Sequence, residues 1–183
     1  MYIKTISEDA LLEELEWLYD VINQHVTELA RGLSNQPVTV SRVARRMGGI
    51  VVPFAFAVDL KRLFDYARGQ QRVSVEFVRT TIEELLSLLH KSPLQDADTA
   101  RAHVWSVLDE RALGVVLRAA QGRSRLSRGQ SIELRELTAL TGLDAPRAAK
   151  LELPTKEVNG VCQYEAAAVI GVIRNAAGPD PFD

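Results

Sequence analysis

Residues 131–164 read SIELRELTALTGLDAPRAAKLELPTKEVNGVCQY, and the punctuation of that stretch limits the possible folds more than anything else in the chain. Gly142 stands between two runs with helical character, 132–141 and 145–152. A glycine there lets the backbone pass through a left-handed turn that a side chain would strain. Asp144 is placed to cap the second run, and Pro146 suits its first turn, where a missing N–H costs nothing. Pro154 stops that run. Asn159-Gly160 then separates two short β-capable runs, a strong local hairpin signal. The stretch predicts a helix, a tight turn, a short helix and a hairpin, with a closing helix over 164–176.

Helical periodicity organises most of the remaining chain. Leu12, Leu15, Leu18, Ile22, Val26 and Leu29 recur at three- and four-residue steps, which predicts an amphipathic helix over 8–32. Glu8 and Asp9 suit its N-terminus electrostatically, and Gly32 with LSNQP ends it. A shorter helix is expected over 40–47, closed by Gly48-Gly49. Pro53 fits the first turn of the next, 53–67. ARGQQ reads as a turn, and Ser74 as the cap of a helix over 75–90. HKSPLQDAD reads as a linker. A helix over 99–120, a loop GRSRLSRGQ and a frayed tail GPDPFD complete the pattern. The linker divides the chain into an N-terminal helical module, 1–92, winged-helix-like and dimerising, and a C-terminal module, 97–178. The two halves match weakly: WLYDVINQHVTELARG lies against WSVLDERALGVVLRAAQG, and TVSRVARRMGG against IELRELTALTGL, as a duplication would leave them.

Aromatics make up 6% of the 183 residues, and Leu, Ala and Val carry the apolar content. That mix favours helices over a sandwich of sheets, so the expected class is mainly α with a small β-hairpin. The single Cys162 forms no internal disulfide, which points to a reducing, cytoplasmic setting. No apolar run approaches the roughly 18 residues that span a bilayer, the acidic start MYIKTISEDALLEELEW has no signal-peptide core, and IVVPFAFAV at 50–58 reads as core. His25, His90 and His103 lack metal-ligand spacing. Cys162 has no histidine near it in sequence. Asp59-x-Lys61 sits on an expected helix with no strand before it, and no glycine loop is built to cradle phosphate. An enzyme, a metal or a cofactor is therefore not expected.

Charge is distributed unevenly, although the net is only −2. Residues 1–34 are acidic, whereas 42–72 and 118–150 are basic islands. Within 134–151, Leu134, Leu137, Ala148 and Leu151 take the inward positions, and Thr138 the small-residue slot four positions before Gly142. Arg147 and Lys150 point outward with Ala145 and Ala149. Small residues let a helix enter a major groove, Arg can bind guanine edges, and either cation can bind phosphate. Over 131–176 this order resembles winged-helix proteins of the MerR and phage excisionase type, with Thr138 standing where Ala is usual. The resemblance implies a helix-turn-helix with a hairpin wing and binding of double-stranded DNA by a regulator or accessory factor. Arg147 and Lys150 would then meet the groove, Arg123, Arg125 and Arg128 the phosphates, and Lys156 the backbone beside the wing. Arg42, Arg45 and Arg46 form the second basic island, and a homodimer would present two such elements. The alternative is a tandem winged-helix subunit that binds a protein partner without touching DNA.

Overall fold

The computed structural model describes residues 2–33, 45–47, 50–52, 54–90, 97–109 and 111–177. These residues are mainly helical. In chain order they form α1 (Glu8–Leu33), β1 (Arg45–Met47), β2 (Ile50–Val52), α2 (Ala57–Arg68), α3 (Val75–Leu89), α4 (Ala97–Leu108) and α5 (Ala112–Leu126). Then come β3 (Ile132–Glu133), α6 (Leu134–Thr141), α7 (Ala145–Lys150), β4 (Thr155–Val158), β5 (Val161–Tyr164) and α8 (Ala166–Ala177). Two compact units emerge, each drawing on separate stretches of chain. One holds Met1–Ile6, Leu63–Arg79 and Val115–Asp183, and the other Ser7–Arg62 and Thr80–Gly114. The linker residues 91–96 and the tail 178–183 lie outside the described residues.

In the unit containing α1, Leu15, Leu18 and Ile22 are buried as their helical spacing demands, but the inner face takes Leu11 in place of the expected Leu12, which is half-buried, and Leu29 is 67% exposed. Ser7 starts the helix, its Oγ accepting the Ala10 N–H at 3.0 Å, which satisfies one of the free amides of the first turn. Ser74 does the same for α3 through Phe77. The expected helix over 99–120 is instead two helices, broken between Leu108 and Ala112. Arg111, in the break, donates to Glu14 of α1 at 2.9 Å and lies 3.7 Å from the centre of the Trp17 ring. An ion pair and a cation–π contact on one guanidinium hold the chain to α1 at this point. Trp17 therefore sits on one uninterrupted helix and Trp105 on an interrupted one, so the two long helices of the apparent repeat differ.

The helix expected over 40–47 is also overturned where the chain is described. Residues 45–47 form β1, antiparallel to β2, with Arg45 opposite Val52 and Met47 opposite Ile50. The β-branched run Ile50-Val51-Val52 favours a strand. Residues 40–44 lie outside the described residues. The repeat partner of this segment, α6, is helical, a second departure from duplication.

The other unit carries α6, α7 and the β4–β5 hairpin. Its three strands are ordered β3-β5-β4, all antiparallel, with Ile132 and Thr155 both opposite Tyr164. That pairing keeps Tyr164 in the sheet and delays the closing helix to Ala166. The segment GRSRLSRGQ, read as a loop, is helical as far as Leu126, so Arg123 and Arg125 belong to α5. Gly122 is a packing residue here. A Cβ on it would lie 2.9 Å from Leu140 Cδ1 and 3.0 Å from Glu136 Cβ, so hydrogen at this position lets α6 lie close against α5. Gly142 ends α6 at φ +77°, with the Tyr2 ring 3.1 Å from where a Cβ would be. Left-handed backbone costs other residues about 1–2 kcal/mol. Gly142→Ala is expected to lose about that much in urea denaturation, and a midpoint unchanged from wild type would show that the turn relaxes.

Candidate nucleic-acid interface

Short side-chain bonds fix the turn between α6 and α7. The Gly142 N–H donates to the Thr138 carbonyl at 2.8 Å, closing the end of α6. The Thr138 hydroxyl donates to the Leu143 carbonyl at 2.6 Å. The Thr141 hydroxyl donates to Leu137 O and accepts the Leu143 N–H. Thr138 thus does what an alanine in the small-residue slot could not: it ties the turn back onto α6. Asp144 caps α7, accepting the Arg147 N–H at 3.0 Å, and Pro146 lies in the first turn.

One residue of α7, Ala148, is buried, while Ala145, Pro146, Arg147, Ala149 and Lys150 are exposed. Leu151, expected to face inward, is half exposed at 50%. The helix ends at Lys150, so Leu151 lies beyond its inner face. Asn159 (φ +53°) and Gly160 (φ +75°) are both left-handed, the pair of conformations that a two-residue hairpin turn requires. All four residues of β4 are exposed, so neither face of that strand is covered. Lys156 stands opposite Gln163, Glu157 opposite Cys162 and Val158 opposite Val161. Along 144–165, Arg147, Lys150 and Lys156 are set against Asp144, Glu152, Glu157 and Glu165.

Arg123, Arg125 and Arg128 differ in situation. Arg125 turns inward. Its Nη1 lies 2.9 Å from Glu136 Oε2 and 3.5 Å from Glu133 Oε1. The Glu136 side chain is 2% exposed and also accepts the Glu133 N–H at 2.9 Å. Burial pushes the Glu136 carboxyl above the usual carboxylate range, opposed by the Glu133 amide and the Arg125 charge. This pair ties α5 to the first turn of α6. Arg123 lies 5.6 Å from the Tyr66 ring centre, against Gly69 at the end of α2. Arg128 is exposed, its Nε donating to the Ser124 carbonyl at 3.2 Å. Burial raises the Tyr66 hydroxyl, while the charge of Arg123, the hydroxyls of Ser127 and Ser124 and the charge of Arg128 pull it down.

One compact unit therefore brings together Arg123, Arg125, Arg128, Arg147, Lys150 and Lys156. Arg45 and Arg46 belong to β1 in the other unit, and Arg42 lies outside the described residues. The Asp59-x-Lys61 pattern resolves into structural pairs: Lys61 with Glu8 at 3.4 Å and Asp59 with Arg62 at 3.4 Å. Sequence reading missed that the end of α2 joins the basic residues of α5. The 42–72 island held the signal, but nothing local assigned Arg68 and Arg72 to α5. Among the described residues, no group of three or more His, Cys, Asp or Glu could hold a metal ion, and no helix is long and apolar enough to cross a membrane. No protein-family model, curated protein or solved structure matches the chain.

Proposed function

We propose that this chain binds double-stranded DNA as a small regulator or accessory factor, with α7 in the major groove and the β4–β5 hairpin beside it as a wing. The observation that carries this reading is the exposure of α7. It rests on the unit through Ala148 and offers Ala145, Arg147, Ala149 and Lys150 outward, on a helix capped by Asp144 and followed directly by a hairpin whose β4 is bare on both faces. Small residues allow close approach to the groove floor, Arg147 supplies a fork for guanine, and Lys150 and Lys156 supply point charges for phosphate. Arg125 acts indirectly, through Glu136. A helix of six residues reaches few base pairs, so a homodimer presenting two of them is the expected binding form. The exposed thiol of Cys162 suits a reducing cytoplasm.

One observation favours the second reading, a protein partner without DNA. The α7–hairpin segment is not basic overall, and the hairpin tip shows two exposed valines, Val158 and Val161. Selection from a random duplex library followed by anisotropy titration separates the readings. For DNA binding, Arg147→Ala with Lys150→Ala is expected to weaken the selected site by about tenfold or more and to flatten discrimination between sequences. A folded wild-type protein that binds no duplex at about 50 mM salt rules out the DNA reading.

A further inference from the structure

Most of the positive charge in the α7-bearing unit is carried by stretches of chain other than α7. Residues 63–79 and 115–131 hold seven arginines against Asp65 and Glu76. Two of the seven are committed: Arg79 pairs with Glu76, and Arg125 with Glu136. Four more, Arg68, Arg72, Arg123 and Arg128, belong to the ends of α2 and α5 and the residues just past them. Arg123 reaches across to Tyr66 and Gly69, joining the last turns of α5 to the end of α2. Arg68 is on that same last turn of α2, its guanidinium 5.2 Å from the Phe64 ring centre. Arg72 follows three residues after Gly69 and is exposed. Arg128 is exposed just past α5, and the charges of both Arg123 and Arg128 are felt at the Tyr66 hydroxyl. The exposed Ser127 adds a hydroxyl beside them. A cluster of guanidinium groups held by ring faces and backbone, with hydroxyls among them, suits tetrahedral phosphate anions.

We propose that Arg68, Arg72, Arg123 and Arg128, where the end of α2 meets the end of α5, form a phosphate-docking patch that takes the backbone of duplex DNA. This rests on the DNA reading above and assigns the larger share of the salt-dependent affinity to arginines outside α7 and the hairpin. The division follows from charge. The α7–hairpin segment carries one more acidic than basic residue, so it can discriminate bases but gains little from counterion release. The α2–α5 patch gains from that release without reading sequence.

The test is anisotropy with a labelled random-sequence duplex across salt from about 50 to 300 mM. Arg68, Arg72 and Arg128 are changed together to Gln, with circular dichroism and thermal melting to verify folding. Binding is expected to weaken at least about tenfold at 100 mM salt, and the slope of log affinity against log salt to fall by about 2–3, whereas Lys at the same three positions keeps the slope. If the triple variant does not fold, Arg72→Gln with Arg128→Gln, both at exposed positions, carries the comparison with a slope change of about 2. A folded Gln variant that binds like wild type overturns the patch and leaves the α7 reading intact. Wild type that binds no duplex overturns both, as does wild type that binds only phosphatidylserine vesicles.

Discussion

Gly114→Ala is expected to lower unfolding stability by about 3 kcal/mol or more, a large share of what a domain of this size has to lose. A Cβ at Gly114 would overlap the Leu108 carbonyl oxygen and carbon. Both are backbone atoms at the end of α4, and Leu108 itself is fully buried, so neither side can yield cheaply. Relief would require the break between α4 and α5 to open, which would pull Arg111 from Glu14 and Trp17. Thermal melting should show a fall of roughly 6–12 °C for such a loss. A fall under about 2 °C would mean that the two helices separate freely at this point. Gly122→Ala meets mainly side-chain atoms and should cost less.

The second large effect is expected at Arg125. Removing its guanidinium strands the Glu136 carboxylate in a buried site, and breaking such a pair from one side is costly. Because Arg125 is partly exposed, about 2–3 kcal/mol is expected for Arg125→Ala at pH 7.5. The sign of the pH dependence follows from Glu136. Its folded pKa is raised by burial, so its contribution to stability is fully present below the unfolded value and is lost as pH rises through the folded value. Without Arg125 the folded value climbs further. The deficit of the variant should therefore be largest at neutral pH and shrink as pH falls toward the unfolded carboxylate value of about 4.3. Glu136→Gln in the same background should restore part of the loss at neutral pH. Urea denaturation at pH 7.5 and 5 decides the matter, and a deficit independent of pH with no rescue by Gln would show that the pair is not what holds α6.

The elements most legible in the sequence are those whose signals are local. Gly142, Asp144 and Asn159-Gly160 each specify a backbone conformation within a few residues, and both turns and the α7 cap form as read. The apolar spacing of α1 is likewise self-contained. The break between α4 and α5 was not legible, because no residue there interrupts the helical pattern. The contact made there joins Arg111 to Glu14, a residue 97 positions away. Strand β1 was hidden because Arg45-Arg46-Met47 has little β character alone and depends on the Ile50–Val52 run opposite. The basic loop failed as a unit for the same reason. Arg125 has a buried partner in α6 and Arg123 an aromatic one in α2, and neither partner can be read from the arginines themselves.

The bare outer edge of β4 also has a consequence for self-association. In the described sheet that strand pairs on one side only, with β5, and an unpaired edge invites a second copy. Two identical antiparallel strands related by a twofold axis must be centred on one residue facing its own counterpart. In Thr155-Lys156-Glu157-Val158 the central choices set lysine against lysine or glutamate against glutamate, and like charges directly opposite repel. The order of these two residues thus works against symmetric strand stacking centred on the middle of β4.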